Sequence, residues 1–182
     1  MLIVETGLGI AGAESYVSVA DADTYFANRN NTVWAALDVA HKESALRLAT
    51  DFMVDTFRQY WKGYRNVPSQ ALDWPRYGVV IEDNINIIYY NTRYLQTQYV
   101  LNNIVPNEVK QSTCEFALVA STGQLNPNMS RGKKHVKIGT LEVEYDGNAN
   151  IQVKLNVAVA RLSVYLQGNG ITSGNMARLA RV

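Results

Sequence analysis

The segment from Asp38 to Trp61 constrains the fold most, because it is the longest stretch of the chain with the repeat of an α-helix. Its apolar side chains recur every three or four residues, and charged side chains recur at the same spacing on the opposite face. At ~1.5 Å per residue such a helix runs for roughly 36 Å, which is long for a chain of 182 residues. We therefore expect it to be the spine of a helical bundle. Its apolar face consists of Ala45, Ala49, Phe52, Met53, Phe57 and Tyr60.

Other helices are predicted by residues that favour helix ends. Ser18 is placed as an N-cap for a helix that ends at the asparagine cluster 28–31, and a short helix follows from Thr32. Two further apolar repeats, over 106–123 and 156–168, each end at a glycine. They predict a second core helix and a last helix.

Three segments lack the helical repeat. Residues 62–78 hold glycines and prolines among Trp, Tyr and Arg, which predicts an ordered but irregular loop. Residues 81–104 are rich in Tyr and Asn and favour a β-hairpin or an extended arm. Alternation between His135 and Tyr145 changes phase at Gly139, which predicts a strand with a bulge or a turn at that glycine.

These patterns predict a mainly α fold: a bundle of about four helices with a small β-hairpin and extended arms. The chain then divides into an N-terminal extended segment at 1–17, a helical domain at 18–167 and a C-terminal arm at 168–182. The helical domain contains an inserted arm or hairpin at 80–105 and the small β-hairpin at 134–155. The C-terminal arm is too short and too rich in glycine to fold alone.

The composition argues against several classes of protein. With 17 Lys and Arg against 16 Asp and Glu, no strong overall field draws the chain to nucleic acid or to a membrane. A membrane span is not expected, because no stretch of about 18 apolar residues occurs. The single cysteine, Cys114, excludes an internal disulfide and is expected to be a buried, inert thiol, while His41 and His135 offer little for a metal. We expect no enzymatic activity, no cofactor and no bound metal.

Three glycines match the spacing of a dinucleotide-binding loop. Gly7, Gly9 and Gly12 follow a short apolar run, but Ser15 and Ser18 interrupt the helix that such a loop must open. We therefore interpret the glycines as turns in the N-terminal segment.

A basic run and a group of tyrosines are candidates for binding. The basic run concentrates positive charge, so it either binds phosphate or forms a solvated loop; it consists of Arg131, Lys133, Lys134 and Lys137. The tyrosines of residues 81–104 accompany one basic residue and two acids, which fits a protein interface better than stacked bases. These tyrosines are Tyr89, Tyr90, Tyr94 and Tyr99.

Two stretches are more specific. Residues 14–23 read ESYVSVADAD, and residues 63–79 contain GYR, QALDWPR and GV. Together they resemble a family of tailed-phage proteins labelled DnaT-like putative single-stranded DNA-binding proteins. With the helix at 106–122 and the strand at 141–145, the resemblance covers most of the chain. The chain departs from the family pattern at 81–104, which is longer and richer in Tyr and Asn than the usual connection.

The order of the elements is similar to the head-completion, or head-to-tail adaptor, fold of tailed phages. This resemblance implies a structural virion protein that forms a homo-oligomeric ring of about twelve copies under the portal protein. The ring would connect the portal to tail or nozzle proteins and line the DNA exit channel in the virion neck, after assembly in the host cytoplasm. The family label implies an alternative: a single-stranded DNA-binding protein of phage replication.

The adaptor resemblance also suggests roles for particular residues. Trp74 would be a rigid anchor on a neighbouring subunit or neck protein, as would the four tyrosines, while Arg65 and Arg76 would pair with carboxylates within the protomer or across to a neighbour. The basic run would face packaged double-stranded DNA without sequence specificity. The C-terminal arm would dock on the portal through Arg178, Leu179, Arg181 and Val182.

Overall fold

The fold is a helical bundle whose longest helix lies within the predicted segment but ends at Phe57, before the predicted end at Trp61. The computed structural model describes residues 1–81, 98–123, 125 and 157–167, together with the backbone of 135–138 and 141–144. In chain order the elements are α1 (Val19–Ala27), α2 (Thr32–Ala35), α3 (Val39–Phe57), β1 (Tyr64–Arg65), β2 (Arg76–Tyr77), α4 (Asn107–Thr122), β3 (His135–Ile138) and β4 (Leu141–Glu144). Helical residues 157–162 then lead into a 3₁₀ turn at Ser163–Tyr165. The prediction of a mainly α fold with a small hairpin is confirmed.

Side-chain caps set the starts of the first three helices. Ser18 Oγ accepts the Asp21 N–H at 3.0 Å, and Asp38 Oδ1 accepts the His41 N–H at 2.8 Å. Asn31 caps α2 in the same way. Each cap gives a partner to an N–H that has no carbonyl acceptor within its own helix. The predicted starts of α1, α2 and α3 are confirmed.

The core forms where α3 packs along α4. Phe57 of α3 and Phe116 of α4 are both fully buried, and their rings stack with centroids 6.1 Å apart. Helices α1 and α2 close one side of this pair, with the Phe26 and Trp34 ring centroids 4.7 Å apart. The predicted spine helix therefore packs on α4 and α1, while α2 packs on α1 and α4.

The C-terminal helical segment, 157–162, is joined to this core by polar contacts. The Ser112 hydroxyl donates to the Ala158 carbonyl at 3.0 Å. Arg161 donates to the Tyr25 hydroxyl at 2.8 Å, and that hydroxyl donates to Glu115 at 2.5 Å. These bonds link the segment to α1 and α4, so it is an integral part of the bundle.

The N-terminal segment folds back on itself rather than extending from the domain. Val4 pairs with Ser15 in a parallel bridge, and the Glu5 N–H donates to the Ser15 carbonyl at 2.8 Å. Tyr16 and Val17 are buried in the core. The segment predicted as extended, 1–17, therefore lies against the bundle, where burial of these apolar side chains holds it.

Part of the predicted β-hairpin is present as two short paired strands. Strands β3 and β4 pair antiparallel with Val136 opposite Val143 and Ile138 opposite Leu141, so Gly139 falls in the two-residue connection. The change of phase at Gly139 therefore falls at the boundary between two paired strands. The rest of the predicted hairpin, 145–155, lies outside the described residues, as do the arm at 82–97 and the C-terminal arm.

Tyr16 ties the N-terminal segment to the loop that follows α3. Its hydroxyl accepts the N–H groups of Asp73, at 3.0 Å, and of Trp74, at 3.4 Å. Tyr16, Asp73 and Trp74 are all buried, so these two N–H groups are shielded from water. Burial, together with the nearby Asp73 carboxylate, raises the pKa of Tyr16, which keeps the phenol protonated.

We predict that Tyr16→Phe lowers the free energy of unfolding by about 1–3 kcal/mol, because it leaves the buried Asp73 N–H without its acceptor. Urea denaturation followed by circular dichroism measures the change. Tyr64→Phe is the matched control, since Tyr64 is 77% exposed and should change stability by less than about 0.5 kcal/mol. Equal stability of the two variants would contradict the prediction.

Candidate interaction surface

Residues 62–78, here called the signature loop, contain the second of the two specific sequence stretches. Strands β1 and β2 pair inside it, with Tyr64 opposite Tyr77 and Arg65 opposite Arg76. Gly63 has a φ of 67°, and a Cβ at that position would collide with the Tyr77 carbonyl. The sequence predicted an ordered loop here and missed the strands, because two residues are too few to show alternation.

Arg76 holds the base of the signature loop together. Its guanidinium donates to the Lys62 carbonyl at 2.7 Å, to the Gly63 carbonyl at 2.6 Å and to the Asp73 carbonyl at 3.2 Å. The residue is 6% exposed, and burial lowers the pKa of its guanidinium. The sequence predicted that Arg76 pairs with a carboxylate, within the protomer or on a neighbour; the three bonds described here go instead to backbone carbonyls of its own protomer.

Trp74 lies inside the core. It is fully buried, with its ring edge-on to Trp61 at 5.7 Å and to Tyr165 at 5.3 Å between centroids. The Trp74–Pro75 peptide bond is cis. Its indole presents no surface to a neighbouring molecule, so this placement does not fit the subunit contact predicted for Trp74. It is an anchor of the protomer itself.

Two more side chains brace the signature loop from within. Gln70 donates from Nε2 to the Leu72 carbonyl at 2.8 Å and to the Pro75 carbonyl at 3.1 Å, and its Oε1 accepts the Val67 N–H at 2.8 Å. Arg58 Nε donates to Asp73 Oδ1 at 2.9 Å, joining the loop to the end of α3. The specific sequence stretch therefore encodes a rigid scaffold.

The glycine loop near the N-terminus is filled by a carboxylate of the same chain. Glu5, which is 1% exposed, accepts the N–H groups of Gly7 at 2.8 Å, Gly9 at 2.9 Å and Ile10 at 2.7 Å. Gly7 and Gly9 adopt positive φ, as the predicted turns require. The amides that would cradle a phosphate are already bonded, which agrees with the rejection of a dinucleotide site.

The glycine loop, the signature loop and residues 98–104 meet at one surface. Gly7 lies so close to the Asn103 carbonyl that a Cβ would collide with it, and Asn102 Nδ2 donates to Asn66 Oδ1 at 3.3 Å. Val80 pairs with Tyr99 in an antiparallel bridge. Six exposed apolar side chains on these segments form what we call the rim: Leu8, Tyr64, Tyr77, Tyr99, Leu101 and Ile104.

The rim is apolar and almost uncharged. Tyr64 and Tyr77 are 77% and 63% exposed and lie opposite each other across β1 and β2. Arg65, which is also exposed, is the only charged residue in 6–9, 63–66, 77–81 and 98–104. Exposed aromatic side chains with few charges are characteristic of protein interfaces.

The predicted interface residues divide into three groups. Arg65 and Tyr99 lie at the rim, and Trp74 and Arg76 lie beneath it. Tyr89, Tyr90 and Tyr94 fall outside the described residues. Sequence reasoning missed five residues of the rim, because only the fold brings its three segments together: Leu8, Tyr64, Tyr77, Leu101 and Ile104.

The other predicted site residues are only partly described. The backbone register places Lys137 of the basic run opposite Glu142 in β3 and β4. Arg131, Lys133 and Lys134 of the basic run lie outside the described residues. So do the proposed portal contacts Arg178, Leu179, Arg181 and Val182.

Metal binding, membrane insertion and thiol chemistry concern other positions in the described part of the chain. In the described part of the chain, no three His, Cys, Asp or Glu side chains are grouped to hold a metal ion. None of the helices found there is long and apolar enough to cross a membrane. Cys114 is buried as predicted, and burial raises the pKa of its thiol to about 12.

Fold and surface together define a small, mainly helical protein in which a braced loop and a glycine loop display an apolar, aromatic rim. The chain belongs to the family described as Putative DnaT-like ssDNA binding protein, whose model matches residues 1–182. The family resemblance expected from the sequence is thereby confirmed. No curated protein and no solved structure matches the chain.

We predict that Arg76→Met destabilises the protein by about 2–3 kcal/mol, because three carbonyls at the base of the signature loop lose a charged donor. Arg65→Met is the control, since Arg65 is the exposed cross-strand neighbour of Arg76 and makes no ion pair with a described residue. The two variants are compared by urea denaturation. A similar loss of stability in both would contradict the scaffold role of Arg76.

We predict that Cys114 reacts with a thiol reagent at least about 100-fold more slowly in the native protein than in denaturant, because only the thiolate reacts. With its pKa raised to about 12, the native thiolate fraction should rise about tenfold per pH unit from pH 7 to 9. In denaturant the rate should begin to level off near pH 8.5. Rapid native labelling at pH 7 would show that the thiol is accessible and ionised.

Proposed function

We propose that this protein is a structural component of the phage particle, a head-to-tail adaptor that forms a ring of about twelve copies under the portal. It acts by holding the portal to tail or nozzle proteins in the virion neck and by lining the DNA exit channel. The rim is the observation that carries the proposal. No bond-making chemistry is assigned to the protein.

The composition of the rim favours a protein partner over a nucleic acid. Binding to a phosphate backbone depends on several Lys or Arg contacts, whereas the segments of the rim contain Arg65 alone. Tyrosine and aliphatic side chains exclude water well and make large contacts when they pack against another protein. A subunit of a ring needs such surfaces for its neighbours.

The rigidity of the signature loop supports the same role. Arg76, Gln70 and Tyr16 fix the backbone that carries Tyr64 and Tyr77, so the rim keeps its shape before a partner binds. A preformed surface loses less conformational entropy on association. The remaining contacts of the proposal come from the sequence: the C-terminal arm at 168–182 on the portal, and the basic run 131–137 facing packaged DNA.

Single-stranded DNA binding is the second candidate, and the family description favours it directly. The structure adds one specific observation in its support. Tyr64 and Tyr77 form an exposed aromatic pair, and Arg65 is adjacent to Tyr64, which is the arrangement on which bases stack beside a cation. In this case the rim would be the DNA-binding surface.

Ring formation and DNA binding are tested on the same full-length protein. Light scattering and negative-stain microscopy, with and without the portal protein of the same phage, should show rings. The double variant Tyr64→Ala with Tyr77→Ala should need at least a tenfold higher protein concentration to form them. Arg29→Ala is the matched control, since Arg29 is exposed, lies just after α1 and contacts Tyr25 rather than the rim.

Anisotropy of a labelled oligothymidine, titrated at several salt concentrations, measures the alternative. Binding that weakens steeply with salt, from a protein that stays monomeric with the portal, would favour single-stranded DNA binding and contradict the adaptor proposal. Rings without oligonucleotide binding would support the adaptor.

A further inference from the structure

A second exposed surface on the same protomer complements the rim. Leu48, Asp51 and Asp55 lie at successive turns of α3 and point away from the core. Leu48 is 52% exposed, and Asp51 and Asp55 are exposed as well. We call these three residues the α3 stripe.

The acids of the α3 stripe differ from the other charges on this helix. Arg47 pairs with Glu14 and Glu43, and Arg58 pairs with Asp73. Asp51 and Asp55, in contrast, form no ion pair with any residue that the structure describes. Partial burial and the neighbouring Asp55 carboxylate raise the pKa of Asp51, so a cation placed between them would be favourable.

The rim has the opposite charge and the same apolar character. Arg65 is exposed, and it too makes no ion pair within the described part of the protomer. Its neighbours in the rim are tyrosines, which can cover Leu48 and donate hydrogen bonds to carboxylates. Each surface therefore supplies what the other one lacks.

We propose that the rim of one copy docks on the α3 stripe of a second copy, with Arg65 between Asp51 and Asp55 and the tyrosines over Leu48. This inference rests on the proposed function and names the contact through which the ring forms. The two surfaces are different patches of one chain, so the contact is heterologous and repeats from copy to copy until the ring closes.

Charge reversal provides a test that does not depend on the loss of a single side chain. Arg65→Glu makes the rim negative, and Asp51→Lys with Asp55→Lys makes the α3 stripe positive. Each variant alone brings like charges together, so its self-association should weaken at least tenfold relative to wild type. Arg29→Glu, a charge reversal just after α1 at a residue that contacts Tyr25 and neither surface, should assemble like wild type.

Mixing the two variants should restore assembly. The negative rim of one then meets the positive stripe of the other, and the wild-type rim of the second meets the wild-type stripe of the first. The triple variant, which carries all three substitutions, should likewise form rings by itself. Circular dichroism verifies that every variant is folded before light scattering and microscopy measure its assembly.

The outcomes separate this inference from the proposed function. If the wild-type protein forms rings and the rim variant and the stripe variant each assemble as well as wild type, the docking arrangement is overturned and the adaptor role still stands. Impaired variants that are not rescued by mixing would also overturn it. A wild-type protein that remains monomeric with the portal would refute the adaptor role, and the docking arrangement with it.

Discussion

The structure depends on the need to satisfy a buried backbone. The signature loop carries Trp74 into the core, and its peptide groups must follow the indole away from water. Tyr16 and Arg76 supply the missing partners, one as an acceptor for N–H groups and the other as a donor to carbonyls. Without them, burying the indole would leave polar groups unpaired at a cost comparable to the gain from burial. The two specific sequence stretches are therefore one structural device, split between the N-terminal segment and the loop after α3.

The hydrogen bonds inside the signature loop determine which side chains it exposes to a partner. Because the bonding side chains point inward, the strands β1 and β2 are left with two exposed tyrosines and a single exposed charge, that of Arg65. Gly7 and the 98–104 segment complete this surface by close backbone contact.

The comparison with the sequence shows which information is local. The caps Ser18 and Asp38 act on N–H groups three residues away, and α3 shows its apolar face over several turns, so these elements could be predicted. Trp74 could not be placed from its neighbours, because an aromatic residue beside proline suits an interface and a core equally well. Its burial depends on Trp61 and Tyr165, which are distant in sequence. The rim was out of reach for the same reason, since three separate segments build it.

The carboxylate of Glu5 gives the glycine loop an unusual property. An array of backbone amides that elsewhere receives an anion from solution here receives one from two positions upstream, at distances of 2.7 to 2.9 Å. The anion-binding amides of the loop are occupied by a carboxylate of the same chain. A glycine spacing alone therefore does not indicate a nucleotide site until the group bonded to its amides is known. An acidic residue just before such a spacing is a sign that its carboxylate accepts those amides.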